Sequence, residues 1–507
     1  MSLSQNKSRS SLLNAISAIC LTLVNGLLGI VSTRFIISQF GSDFNGLNST
    51  ANQIVNVLLV LEGGFTVASN VALFAPMHQE DYDLVNGILS ATRKKFRMIG
   101  VSFLLIGIGV ALVYSGIVNS SLPNEFVATV ILMTVVPAAF NLFYATTYRV
   151  LLQTQQSEYI ISLITICTIG AGHIANIIMI LLGGPMWMVR FNTMVCALLN
   201  SLLIAGYVKR KAKFLNLNAQ PRQELIKGTG DVMAQKITGV IYNSAPIVFL
   251  SISPTGGTLL ASVYAVYNNV FTMLKSLLHG VIDAPRHSFG QMLTERKRED
   301  VWPVFAQYEY IAFSAVFVLM TTCCALIIPF IKLYMDGITD ANYVDPVIAL
   351  MMVIIGVVEM IHIPSGHLIN MAGEFAIGRN FQVVSCAVLL VTMTVGGSVW
   401  GVYGMLAAIA LVAMLLAVLE MGYVHTRFFH KKLGPLMGLL LPMMVTGVML
   451  CTIEFSLPLH LTGYGAFILY GILLFSINTA VAVVIGFLFN RPYLSGMVRR
   501  VVKMLKR

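Results

Sequence analysis

Six polar residues, Tyr264, Asn268, Thr272, Lys275, His279 and Asp283, follow one another through an apolar stretch at spacings of four, four, three, four and four. That spacing puts all six on one face of a helix. A lysine on such a face is a point-charge partner for phosphate, and a helix in lipid gains nothing from a polar stripe, so the face should line a polar cavity. The preceding apolar stretch carries a similar run, Asp231, Gln235, Thr238 and Tyr242, with Lys236, Gly239 and Asn243 on a neighbouring face. Polar faces can also join helices by hydrogen bonds, and that reading suits the second run taken alone. Two successive helices with lysines at matching depth favour a cavity.

Two carboxyl groups lie deep in apolar segments. Glu62 opens Glu62-Gly63-Gly64, where paired glycines permit a bend, and Thr66 and Ser69 share its face. Glu359 lines up with His362, Gly366 and Asn370 at spacings of three, four and four. A carboxyl group in low dielectric holds its proton more tightly and can exchange it near neutral pH. Glu62, Glu359 and His362 are therefore candidates for ion coupling; the other reading is a hydrogen-bonded carboxyl buried between helices. His173 and Asn176 read as hydrogen-bonding residues between helices, with no functional role.

Catalytic and metal chemistry are not indicated. The sequence has no Walker motif, no H-E-x-x-H and no His/Cys cluster, so no metal and no cofactor are expected. Its seven cysteines fall in apolar runs and read as small packing residues. The outer loops are too short for the domain that a membrane glycosyltransferase or polymerase generally needs, so an enzyme is not expected.

Composition explains what must position these residues. Of 507 residues, 57% are hydrophobic and 10% charged, against roughly 25% charged in a soluble protein. With a mean hydropathy of +0.83, the chain cannot coat itself for water. The fold class is an all-α polytopic membrane protein. A spanning helix needs about 20 apolar residues, which predicts about fourteen spans near 12–38, 47–75, 97–117, 126–148, 158–182, 186–208, 231–252, 259–284, 305–330, 346–369, 381–399, 403–423, 433–453 and 463–489, numbered 1 to 14 below. The first run is too long for a cleavable signal peptide and lacks an Ala-x-Ala-like site.

The net charge of +11 is chiefly a topology signal, not a sign of nucleic acid. Twenty-seven of 32 Lys and Arg fall in the termini and alternate loops, one (Lys332) in the opposite loops and four inside spans. Excess Lys and Arg marks the cytoplasmic side, which predicts both termini and residues 209–230 inside, and 336–345 outside. Residues 1–215 would form an N-lobe of spans 1–6 and 216–430 a C-lobe of spans 7–12. Spans 13–14 with the basic tail, 431–507, would be an appendage. An even first block implies that the second repeats it in the same orientation.

Depth then sorts the four intramembrane bases. Arg34 and Arg190 lie near the outer ends of spans 1 and 6, where snorkelling to the headgroups is an alternative to a cavity role. Lys236 and Lys275 lie roughly 10 Å inward from the cytoplasmic ends of spans 7 and 8, a depth from which lysine can still snorkel.

The first 100 residues carry a family resemblance. Thr33-Arg34-Phe35-Ile36-Ile37, then Phe40-Gly41-Ser42-Asp43-Phe44-Asn45-Gly46-Leu47-Asn48, resembles the start of Wzx-type polysaccharide repeat-unit flippases, of the multidrug/oligosaccharidyl-lipid/polysaccharide exporter superfamily. So does Leu61-Glu62-Gly63-Gly64 with the Arg93-Lys94-Lys95 loop. Ala372-Gly373-Glu374 and Gly401-Val402-Tyr403-Gly404 are similar more loosely. The resemblance implies a bacterial inner-membrane flippase that moves undecaprenyl-diphosphate-linked oligosaccharide repeat units from the cytoplasmic to the outer leaflet for surface polysaccharide (O-antigen or capsule) assembly. It implies two six-helix lobes in a V around a cationic cavity, ion coupling, and a polyprenyl-tail groove at spans 13 and 14. Polysaccharide polymerase and assembly proteins are candidate partners, with membrane lipid. On this reading Lys275, Lys236, Arg34, Asn268, Thr272 and His279 bind substrate. The alternatives are a lipid II or teichoic-acid precursor flippase, which is the same chemistry with another sugar, and a drug/cation antiporter of the same superfamily.

Overall fold

The computed structural model describes residues 3–62, 64–226, 230–283, 285–456, 461 and 463–496. Gly63, Lys227 and the tail from 497 onward lie outside the described residues, as do the side chains of Lys7, Arg9, Asp231 and Arg286. Every regular element among the described residues is helical. In a bilayer a helix satisfies all its backbone groups within one segment, which loops and open sheets cannot do.

Among the described residues, ten helices are long and apolar enough to cross a membrane. Two of them, Leu13–Glu62 and Phe375–Phe428, each hold two of the expected spans, and Gly230–Ile252 and Gly257–Ile282 add spans 7 and 8. The count of fourteen expected from hydropathy is thus present. The two double helices break at Gly41 (φ 84°) and Gly401 (φ 59°), and span 2 breaks again at Gly64 (φ 73°). These left-handed conformations suit a residue without Cβ, so the glycines set where one span ends and the next begins. The outer surfaces are apolar: Leu112, Val448 and Leu469 are 64%, 66% and 69% exposed, as expected for side chains that face lipid tails.

The chain divides into two compact units, Met1–Ala265 and Val266–Arg507. In the first, spans 1 and 5 pack together, spans 3, 4 and 6 form a second layer, and span 7 lies against the helix of spans 1 and 2. Phe44, Leu47, Leu73, Phe96 and Phe103 are fully buried at its centre. Span 4 changes to π-helix at Asn141–Ala145, just after Pro137. Proline removes a ladder hydrogen bond and crowds the preceding turn, and Thr146 Oγ1 donates to the Asn141 carbonyl at 3.0 Å across that loosened turn.

In the second unit the 37-residue helix Arg298–Tyr334 (span 9) is central and packs against spans 10, 13 and 14. Tyr310, Phe313, Phe317, Leu436 and Leu439 form its core. Span 10 starts at Pro346, with Asp345 accepting from the backbone N–H groups of Val347 (2.8 Å) and Ile348 (3.0 Å). That cap satisfies two of the donors a helix start leaves open.

Candidate functional site

Within the first unit, span 7 turns its polar face toward the break in span 2. Lys236 Nζ lies 3.9 Å from Glu62 Oε1, and Glu62 also accepts from Thr66 Oγ1. The lysine side chain is 48% exposed and the carboxylate 16%. The pair sits on the wall of a cavity of about 400 Å³ whose polar lining includes Gln53, Asn56, Asn243 and Ser244. Gln53 Oε1 accepts from Ser244 Oγ at 2.9 Å and from Asn56 Nδ2 at 3.1 Å. The 3.9 Å separation and open lysine leave room for an anion to compete for Nζ.

Within the second unit, span 8 presents Lys275 to span 10. Lys275 Nζ donates to Glu359 Oε2 at 2.9 Å, with side chains 20% and 16% exposed. Asn268 is half-buried and Thr272 exposed on the same face. One turn further along, His279 Nδ1 is 3.2 Å from Asp283 Oδ1, and His367 Nε2 of span 10 is 3.5 Å from the same oxygen. The stripe read from the sequence therefore carries a set of acid–base contacts. Both lysines that the sequence places inside spans 7 and 8 meet a glutamate from another span.

His362, expected beside Glu359, turns elsewhere: its Nδ1 is 2.8 Å from Glu420 Oε2 on span 12. Gly366 makes room for that carboxylate, since a Cβ there would stand 2.7 Å from Oε2. Deeper still, Glu309 of span 9 meets His425 Nε2 at 3.1 Å with both side chains essentially unexposed, walled by Trp302, Phe305 and Phe429. Sequence reasoning missed Glu309, Glu420 and His425. Glu309 and Glu420 stand near the ends of apolar runs and His425 just beyond one, where a linear reading assumes headgroups and water. The helices extend past those runs, to Arg298 and Phe428, and neighbours bury the ends. The clue available was pairing: two acids and two histidines near the start of span 9 and the ends of spans 10 and 12.

The two arginines differ. Arg34 is half-buried on span 1. Arg190 is 4% exposed and donates to Asn52 Oδ1 at 3.1 Å and to the Asn48 carbonyl, so it braces span 6 against span 2 and does not snorkel. Arg149, counted among the cytoplasmic loop bases, sits on the helix Thr146–Thr154 and donates to Asn200 Oδ1 at 2.8 Å. Asn176 does join spans 5 and 6, accepting from Asn192 Nδ2 at 2.8 Å.

No family model matches the sequence, and neither does any curated protein. Solved structures do. An inward-facing multidrug resistance MATE family transporter of the MOP superfamily aligns with a TM-score of 0.63 at 13% identity, over 88% of this chain and 100% of that one. The lipid II flippase MurJ in an inward closed conformation aligns at 0.63 and 12% identity, over 93% and 98%. An outward-facing MATE transporter aligns at 0.59 and 12%, over 89% and 97%. The chain shares the fold of these transporters and of this flippase. At such identities the likeness is one of backbone architecture. Residue roles in this chain rest on its own geometry.

Proposed function

We propose that the chain is a flippase that moves undecaprenyl-diphosphate-linked oligosaccharide repeat units from the cytoplasmic to the outer leaflet of a bacterial inner membrane, by ion-coupled alternating access. The observation that carries this reading is the pair of lysine–glutamate contacts, Lys236–Glu62 and Lys275–Glu359, one in each unit. A diphosphate entering a low-dielectric cavity must be neutralised. In both pairs the carboxylate competes with an incoming anion for the ammonium group, tightly at Lys275 (2.9 Å, 20% exposed) and loosely at the more open Lys236 (3.9 Å, 48% exposed). Protonating Glu62 or Glu359 frees the lysine for phosphate, and returning the proton to solvent lets the carboxylate reclaim it. Substrate charge and proton occupancy are then linked through one side chain. Asn268, Thr272 and His279, on the face of Lys275, would meet polar parts of the same substrate, and Arg34 is a further candidate base within the first unit.

An apolar cavity of about 470 Å³ among spans 8, 9 and 14, with Leu277, Val281, Ile311, Val318 and Phe475 in its lining, supports a prenyl chain as the other half of the substrate. Of the two spans expected to form the tail site, span 14 lines this cavity and span 13 does not; spans 8 and 9 supply the other walls. The fold suits a lipid-linked cargo, as in MurJ, and a drug, as in a MATE transporter, equally well, and a lipid II or teichoic-acid precursor would satisfy the same groups. A drug/cation antiporter would use the carboxylates and leave the lysines without a task.

The test is reconstitution in vesicles holding a fluorescent undecaprenyl-diphosphate oligosaccharide in the inner leaflet. Translocation that depends on Lys275 and on a proton gradient supports the proposal. Extrusion of an organic cation with no lipid translocation overturns it.

A further inference from the structure

The cavity of the first unit has two unlike ends. On span 7, Lys236, Val240, Asn243 and Ser244 stand on successive turns of one face and line it. Span 2 contributes Gln53, Asn56 and Val60, at steps of three and four, and Glu62 just beyond, in its last turn before the break. The two spans thus wall a trough with the Lys236–Glu62 pair at one end and carboxamides at the other, roughly 10–14 Å apart along the helices. Between the ends the wall is apolar, with Leu59, Val60 and Val240, and a Cβ added at Gly239 would meet nothing within 4 Å.

The carboxamides are held in opposite senses. A carboxamide oxygen has two lone pairs, and those of Gln53 Oε1 are taken by Ser244 Oγ at 2.9 Å and Asn56 Nδ2 at 3.1 Å. The NH₂ group of Gln53 is left as its open edge, with no acceptor among the described residues. Asn243 is reversed: its Nδ2 donates to the Gly239 carbonyl at 2.8 Å, which leaves Oδ1 as its accepting edge. Ser244, next to Asn243 in the chain, ties the two spans together at this level. A donor on one span and an acceptor on the other complement a secondary amide, whose C=O accepts and whose N–H donates. We propose that this end of the cavity binds the acetamido group of the sugar next to the diphosphate, with Gln53 donating to its carbonyl oxygen and Asn243 accepting from its N–H. The apolar stretch takes the C–H face of the sugar ring, and Gly239 supplies the depth. The site rests on the flippase reading above and adds to it the class of sugar, one that carries an N-acetyl group.

Two lipids test it, undecaprenyl-diphosphate N-acetylglucosamine and undecaprenyl-diphosphate glucose, which differ only in bearing an acetamido group or a hydroxyl at C2. Titrated into the full chain in nanodiscs, the first should bind wild type more tightly, by roughly tenfold for two uncharged hydrogen bonds. Gln53→Met and Asn243→Leu should each lower that ratio about threefold, the share of one such bond. Lys236→Ala, at the other end, should weaken both lipids and leave the ratio as it is. Equal wild-type affinities for the two lipids overturn the acetamido site and leave the flippase reading standing. A ratio unchanged in both Gln53→Met and Asn243→Leu overturns the site as well. Binding of neither lipid overturns the flippase reading and the site with it. The wild-type comparison needs no variant, so a substitution that fails to fold leaves the test intact.

Discussion

Lys275 Nζ and Glu359 Oε2 stand 2.9 Å apart, with about a fifth or less of either side chain exposed. In such a place a lone charge is worse than either the pair or no charge at all. The two residues should therefore depend on each other for stability. Lys275→Met and Glu359→Gln are each expected to lower the unfolding midpoint in detergent, and the double variant should lose less than the sum. A coupling of about 0.5–3 kcal/mol is expected from groups in contact. Strict additivity would mean that the contact is energetically idle.

Function should be more sensitive than stability at the same lysine. Removing one partner from a desolvated ionic contact typically costs about 2–5 kcal/mol, and about 1.4 kcal/mol is already tenfold. Lys275→Ala should cut lipid translocation more than tenfold, and Lys275→Arg should retain part of it. Lys332 and Lys431, both exposed, serve as controls whose substitution should do little. Wild-type transport by a normally inserted Lys275→Ala would reduce Lys275 to a snorkelling residue.

Proton coupling is expected to pass through Glu62 or Glu359. Replacing the responsible carboxyl by glutamine should flatten the dependence of flux on pH while the protein still inserts. Unchanged profiles in both single variants and in the double variant would leave both residues with a packing role alone.

The cap of span 10 offers a stability test remote from the cavities. Asp345 accepts two backbone N–H groups, so Asp345→Ala should destabilise by about 1 kcal/mol, within roughly 0.5–2. Asp345→Asn, which keeps an accepting oxygen, should lose less. Thermal melts in one detergent compare the three forms.

Sidedness follows from the placement of Lys and Arg. Single cysteines at 217 and 340 on a cysteine-free background should react with impermeant thiol reagents from opposite sides, 217 from the cytoplasm. Labelling of 217 from outside would reverse the topology.

Hydropathy alone determined that this chain crosses a membrane many times, and it located the fourteen crossings, because lipid imposes a length and an apolarity on every span. It also picked out Lys236, Lys275, Glu62 and Glu359, because a charge in an apolar run is conspicuous. What it could not decide was partnership. Helical spacing states which residues share a face of one helix and is silent on which helix comes opposite. Only tertiary packing sets Lys236 against Glu62, Lys275 against Glu359, and His362 against Glu420 across Gly366. The buried Glu309–His425 pair escaped for a related reason. Each lies near or beyond the end of an apolar run, where a linear reading assumes water, and it is the neighbouring helices that take the water away.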